Sequence, residues 1–350
     1  MKLHPLKIRD LVAEYPVIQS GMGVRIGSAE LAAAVANAGG FGTISTVGLG
    51  DVNHTDITNY FDHCSQSLAE LIRKARKASA GKRLLGINVM VALSNYKQIV
   101  QTAVEEKVDF IISGAGLPLQ LPEFVGDADI ALIPVISSGR AFELVVKTWL
   151  RKYNRLPDAV IVEGPRCGGH LGFTMEQIEH PETCSLDKLL VEVKEVSKKY
   201  NMPDLPTLAA GEVACREDIE NFLRMGYDGV QIGTYFITAK EAGIADASKQ
   251  VFIDATNDDI AIIKSPVGLP VRVIKTKLVQ KVLAGERVPF TCPYRCLRSC
   301  NPSTSLFCIA RALMATWSGD VDNGLFMTGC NLNAVKEIYP IQKFFDTLKD

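Results

Sequence analysis

Between Thr207 and Thr234 the chain reads TLAAGEVACREDIENFLRMGYDGVQIGT, and this stretch decides the architecture. Two short apolar runs, Thr207–Ala210 and Gly229–Ile232, flank a segment in which Ile219, Phe222 and Leu223 share one helical face. Gly226 closes that segment, as a helix-ending glycine does. The runs are apolar throughout, as parallel strands covered on both faces must be. One strand–helix–strand unit results. Outward from it the same rhythm recurs without a strict sequence repeat: Pro16–Ser20, Phe41–Ser45, Leu84–Val89, Phe110–Ser113, Ala131–Ile136 and Ala159–Glu163 complete a set of eight runs. Between them, Ser28 is placed to cap a helix carrying Leu31, Val35 and Ala38, with Gly39 as its stop. Ser67 and Glu70 form a capping-box pattern ahead of Leu71, Ile72, Ala75 and Ala78, with Lys74, Arg76 and Lys77 near the end at Gly81. Eight strands, each followed by a helix or long loop, predict an α/β fold of the TIM (β/α)8 barrel type. A doubly wound open sheet commonly has fewer strands and a Gly-x-Gly-x-x-Gly turn after the first.

Beyond Ala239 the rhythm breaks. Residues 1–240 are read as the barrel and 241–350 as a C-terminal cap or lid packed on it, with a Pro-containing loop (Ser265–Arg272), a Cys-rich stretch and two further helical patterns. The 350 residues carry 38 Lys+Arg and 39 Asp+Glu, a formal charge of −1, so the clustered cation excess of a general nucleic-acid binder is missing. No apolar run is long enough to cross a bilayer. The polar start, Met1 to Asp10, does not read as a secretion signal. Nine cysteines, an odd count, do not suggest a disulfide framework. The expectation is a cytoplasmic protein acting on a small-molecule substrate, with no nucleic-acid or membrane partner. Its oligomeric state is not legible.

In a barrel the chemistry sits at the strands' C-terminal ends, and a phosphate commonly binds after strands seven and eight. Those strands end Ala210-Gly211-Glu212 and Gln231-Ile232-Gly233-Thr234, with Thr234 placed to cap the next helix. Such glycines admit an anion close to the backbone, or simply make tight turns; their recurrence at both strands favours the anion. After strand six comes Glu163-Gly164-Pro165-Arg166-Cys167-Gly168-Gly169-His170. Histidine suits proton transfer near neutrality, and its place on the active face makes His170 the catalytic candidate. His4, His54, His63 and His180 lack such surroundings and read as solvated. Gly21, Met22 and Gly23 would let main chain lie along a flat ring, and Asn88 would offer it a donor and an acceptor. Finally, Cys292, Cys296, Cys300 and Cys308 gather near the C-terminus. If Pro293 opens a helix, the first three share a face, and the four would hold an iron–sulfur cluster or zinc; the alternative is free thiols.

These motifs together resemble the nitronate monooxygenase (2-nitropropane dioxygenase) family of FMN-binding barrels. The resemblance is carried by Pro16–Gly23, Gly86-Ile87-Asn88-Val89, Ser113-Gly114-Ala115-Gly116, Gly168-Gly169-His170, Ala210-Gly211 and Gln231–Thr234, with an echo at Pro270-Val271-Arg272. The flavin-dependent enoyl-acyl-carrier-protein reductases are similar in the same motifs. What the resemblance implies is FMN, with Gly21, Met22 and Gly23 along its ring and Asn88 bonded to it. Gly169, Gly211, Gly233 and Thr234 would surround its phosphate, Gln231 would line the pocket, and His170 would face the ring. It further implies oxidation of alkyl nitronates with dioxygen to a carbonyl compound and nitrite, or NAD(P)H-dependent ene reduction. A non-redox phosphate-binding barrel enzyme, or a protein that only binds flavin, is the third option. The chain departs from the pattern at Glu212, where a second glycine is usual, and at Tyr235, where a cation is common. Arg166 or Arg140 would then supply the charge. Cys167 stands where a small residue is usual and reads as a buried side chain. Among the departures, the four clustered cysteines are the largest. They raise a [4Fe–4S] cluster as a further cofactor.

Overall fold

The computed structural model describes residues 1–50, 59–292 and 294–349. His54 and Pro293, both named above, lie outside them. A hairpin, β1 (Leu6–Ile8) and β2 (Leu11–Ala13), precedes the barrel. Six barrel strands follow: β3 (Val17–Gln19), β4 (Gly42–Ser45), β5 (Leu85–Met90), β6 (Phe110–Gly114), β7 (Ala131–Ile136) and β8 (Val160–Glu163). A two-residue strand, β9 (Gly169–His170), interrupts before β10 (Thr207–Ala210) and β11 (Gly229–Ile232) complete the eight. All eight apolar runs therefore become strands, each within a residue or so of its expected ends. They lie in the order β3-β11-β10-β8-β7-β6-β5-β4, every neighbour parallel.

The ring closes between β3 and β4 through one parallel bridge, Ile18 to Phe41. There the Phe41 N–H donates to the Val17 carbonyl and the Gln19 N–H to the Phe41 carbonyl, each at 2.9 Å. A side chain supplies what the short ladder lacks. Gln19, fully buried, donates through Nε2 to the Thr43 carbonyl (2.7 Å) and accepts the Thr43 N–H through Oε1 (3.2 Å). An amide side chain is built like a peptide group, so it extends the ladder by one rung across the seam.

At the other end of the strands an aspartate device repeats. Asp109, Asp158 and Asp228 each stand just before a strand, and each carboxylate accepts a backbone N–H of the neighbouring strand at 2.8 Å: Leu85, Leu132 and Thr207. The N–H of each aspartate in turn donates to that same residue's carbonyl.

The helix Ala29–Asn37 begins as expected, Ser28 Oγ accepting the Leu31 N–H at 3.0 Å. The Ser67–Glu70 capping box does not form. The helix runs from Tyr60 to Ala78, so both residues lie inside it. Its buried stripe starts earlier, with Tyr60, Cys64 and Leu68 in phase with Ile72 and Ala75. A continuous apolar face outweighs an internal cap signal.

After residue 240, β12 (Ile260–Lys264) and β13 (Pro270–Ile274) form an antiparallel pair, and β13 also pairs with β9, placing Val271 opposite His170 and Arg272 opposite Gly169. The chain then returns along β13 through a Val273–Met327 bridge. It finishes with Tyr339, Phe344 and Phe345 packed in one core with Tyr15, Phe236 and other barrel residues. No described helix is long and apolar enough to cross a membrane.

Candidate functional site

The C-terminal ends of the barrel strands open onto a cavity of two adjoining lobes that share Ser20, Gly21, Glu163, Gly169 and Gln231 in their walls. The narrower lobe, about 110 Å³, adds Met22, Gly211, Gly233 and Thr234. The wider one, about 550 Å³, adds Asn88 and His170, and Gly23 lines both. Every cofactor and catalytic candidate from the barrel sequence thus meets at one place.

Their local roles differ from expectation in two cases. A Cβ on Gly21 would stand 2.1 Å from Asn88 Cγ, so the bare glycine makes room for the Asn88 side chain. Thr234 caps no α-helix. The segment Thr234–Thr238 is a short 3-10 turn, and the Thr234 hydroxyl accepts the Gly329 N–H at 2.9 Å, tying strand eight's end to the C-terminal chain. Gly211 does what its type suggests. It has φ +121°, where a side chain is strained, and packs against Cys167, whose Sγ lies 3.1 Å from the position of a Cβ. Met22 is fixed by Ser45, whose Oγ accepts the Met22 N–H (2.9 Å) and donates to the Met22 carbonyl (2.8 Å).

The charged departures also find their places. Glu212 turns to Arg166 (3.2 Å), so its carboxylate is offset at the rim and Arg166 is engaged there. Arg140 lines neither lobe. Tyr235 packs on Tyr339 and Phe344, which explains an aromatic residue there. Cys167 is buried, donates to the Ala210 carbonyl, and its thiol is pushed up by burial and by Glu163, so it is an inert packing residue.

His170 is held by the strand pairing of β9 with β13. Its Nε2 lies 2.8 Å from Ser265 Oγ, which also accepts the Val267 N–H. Burial lowers the imidazole to about 4, so it is neutral near pH 7. Glu163, at the end of β8, is raised to about 7 by burial. It stood inside the quoted loop, and a carboxylate at a barrel strand's C-terminal end was the signal for it. Other contributors come from far along the chain. Arg272, 4 % exposed, donates to the Cys167 carbonyl and to the Pro165 carbonyl (2.9 Å), clamping the loop before His170. Gly329 and Asn331 line the narrow lobe, Arg298 and Ser299 the wide one. Nothing local in those segments marks them as site residues.

One buried polar group in the walls lacks a protein partner among the described residues. Gln231 Nε2 is buried without a hydrogen bond, and Asn88, half-buried, lines the wide lobe beside it. An orphaned donor of this kind calls for a ligand.

Cys292, Cys296, Cys300 and Cys308 line a separate cavity of about 560 Å³. They are not on a helix: between Leu283 and Ile309 the described residues form none, and Cys308 sits at the start of the helix Ile309–Ser318. The expected i, i+4, i+8 face is therefore replaced by a loop. Burial and the other three cysteines push the Cys296 thiol up to about 12. Among the described residues no three Cys, His, Asp or Glu are grouped to hold one metal ion, so the thiols are not arranged as a single-zinc site.

Comparison with known proteins agrees with this geometry. The profile of the nitronate monooxygenase family matches residues 5–350. A Mycobacterium tuberculosis protein, (3aS,4S,5R,7aS)-5-hydroxy-7a-methyl-1-oxo-octahydro-1H-indene-4-carboxyl-CoA dehydrogenase, is 27% identical over 78% of this chain and 67% of its own. A probable nitronate monooxygenase of Staphylococcus aureus (strain JH9) is 23% identical over 78% of each chain. Nitroalkane oxidase from Streptomyces ansochromogenes has the same fold, with TM-score 0.74 and 18% identity over 96% of this chain and 95% of its own. With the family profile spanning nearly the whole barrel and tail, the chain belongs to the nitronate monooxygenase family and is an oxidoreductase.

Proposed function

We propose that the two-lobed cavity binds FMN and that the chain oxidises alkyl nitronates with dioxygen to a carbonyl compound and nitrite. The observation that carries this reading is one cavity wall bearing a neutral imidazole, His170, together with the unpartnered Gln231 amide and the amide of Asn88. The residues fit the cofactor: amide groups suit a heterocycle edge rich in carbonyls and ring nitrogens, and the glycine-lined narrow lobe suits a phosphate-bearing tail. FMN, when bound, supplies the redox chemistry, and the protein supplies orientation and a positioned base. Gln231 and Asn88 would hold it, with Gly211, Gly233, Thr234 and Gly169 around its anionic end.

His170 handles the proton. In the tautomer whose Nε2–H donates to Ser265 Oγ, Nδ1 keeps the lone pair. An anionic substrate beside the ring favours the imidazolium and raises its pKa from about 4 toward neutrality. The protonated ring stabilises the nitronate oxygens, whereas the neutral ring would accept a proton from the parent nitroalkane. Apolar walls, among them Met90, Val135 and Leu313, keep water from the reacting carbon.

A second reading, NAD(P)H-dependent reduction of an enoyl thioester, draws support from the wide lobe. Arg298 in its wall suits an anionic carrier group.

The experiment mixes the FMN-loaded protein, without oxygen, with an alkyl nitronate and separately with NAD(P)H. Bleaching of the flavin by nitronate alone is expected; bleaching by NAD(P)H alone reverses the assignment to the second reading. His170→Ala is expected to retain FMN and lose about 10²–10⁴-fold in kcat. Unchanged turnover would remove His170 from the mechanism.

A further inference from the structure

The loop from Phe290 to Cys308 has work that the flavin cavity does not explain. It carries four of the chain's nine cysteines, and all four face one cavity. The loop is held by backbone pairing rather than by a helix. Leu297 bridges to Leu93, the Ser94 N–H donates to the Cys296 carbonyl (3.0 Å), and the Arg298 N–H donates to the Ala92 carbonyl (3.0 Å). Ser299 Oγ reaches the Val267 carbonyl (3.0 Å), and the Val288 N–H reaches the Leu306 carbonyl (2.7 Å), closing the loop on itself. The positions of the thiols are therefore set by anchored main chain.

We propose that Cys292, Cys296, Cys300 and Cys308 ligate an iron–sulfur cluster of the four-iron type. Three observations carry this. All nine cysteines are free, so these thiols are not spent in disulfides. The four line one cavity, and among the described residues no three Cys, His, Asp or Glu are grouped to hold a single ion. A tetrahedral ion with bonds of about 2.3 Å draws its sulfurs to within roughly 4 Å of one another. A four-iron cluster takes one thiolate per iron and sets the sulfurs around a bulkier core. Third, Arg295 and Arg298 line the same cavity. Four thiolates around a cluster leave a net negative charge, and two guanidinium groups offset it. The spacing, three residues, three residues, then seven, belongs to no common ferredoxin run. The assignment rests on convergence.

The cluster would adjoin the active site. Arg298 lines both this cavity and the wide lobe with His170, and a small pocket between them is bounded by both Cys296 and His170. A redox centre here would share the Arg298 wall with the proposed flavin cavity.

The test measures iron and acid-labile sulfide in the full-length protein purified without oxygen, before and after reconstitution with ferrous iron and sulfide. About four of each per chain are expected, with a broad visible absorbance that survives removal of flavin. Cys300→Ser and Cys308→Ser are expected to lose most of the iron, while Cys215→Ser, an exposed cysteine elsewhere, keeps it. Absence of iron and sulfide from the reconstituted wild-type protein overturns the proposal, as does one zinc per chain without sulfide. The wild-type count decides even if a variant does not fold. Because it does not depend on flavin, a protein that binds the cluster but not FMN refutes only the preceding section.

Discussion

Two titratable side chains in the cavity wall pull stability in opposite directions with pH. His170 is lowered to about 4 from its ordinary 6.5, so the unfolded chain binds the extra proton between those values. Its contribution is complete above pH 6.5 and is lost as pH falls toward 4. Glu163 is raised to about 7 from 4.5, so its neutral form is favoured in the fold. Its contribution is complete below pH 4.5 and is lost as pH rises through 7. Glu163→Gln in the FMN-free protein removes only the second effect. The variant is expected to gain stability relative to wild type as pH rises from 5 to 8, by roughly 2–4 kcal/mol at the upper end. Denaturant melts at several pH values check this, and a constant difference across the range would refute it. Glu163 was visible in sequence only as the last residue of a strand. Its burial, which shifts its protonation, depends on neighbours from β10 and the tail.

At the level of elements, the recurring aspartates are the instructive case. Asp109, Asp158 and Asp228 are sequence neighbours of clearly legible strands, and the phrase Asp followed by an apolar run repeats at each. The repeat was hidden because its partner is a backbone N–H of another strand, which no local pattern shows. Asp109→Ala orphans the Leu85 N–H and takes the carboxylate (2.8 Å) from the Arg76 guanidinium, which keeps the Lys82 and Lys107 carbonyls, with Asp109 only 6 % exposed. Asp228 is more open, its side chain 45 % exposed. The expected cost is about 2–3 kcal/mol for Asp109→Ala and about 1 kcal/mol for Asp228→Ala, read by chemical denaturation. Equal costs would mean that burial does not set the value of this contact. The misplaced capping box at Ser67 has the same origin: local hydrogen-bond signals yield when a longer apolar face finds a partner.

Across the whole molecule, the C-terminal third contributes to the candidate site instead of merely covering it. β13 holds β9, Ser265 holds His170, Gly329 meets Thr234, and Arg272 clamps the Pro165 and Cys167 carbonyls. Arg272→Met would leave two buried carbonyls without a donor, at about 2–4 kcal/mol, and would loosen the loop that presents His170. Lysine cannot restore both bonds, since it lacks the planar fork. We expect Arg272→Met and Arg272→Lys alike to lower kcat more than they raise KM, measured under saturating FMN. Full activity in the lysine variant would show that charge alone suffices.

The amino-acid order by itself determined the eight strands, the barrel and the set of candidate residues that line one cavity at the strand ends, because strand burial on both faces and glycine-rich strand ends are local signals. It also named the four cysteines, but not their shape, since a helix and an anchored loop place the same thiols differently. Only the tertiary structure decided the partners: which chain segment fixes His170, where Glu163 loses its solvent, and that Gly21 yields its space to Asn88. Those outcomes depend on contacts between residues tens to hundreds of positions apart, and such contacts leave no periodicity along the chain.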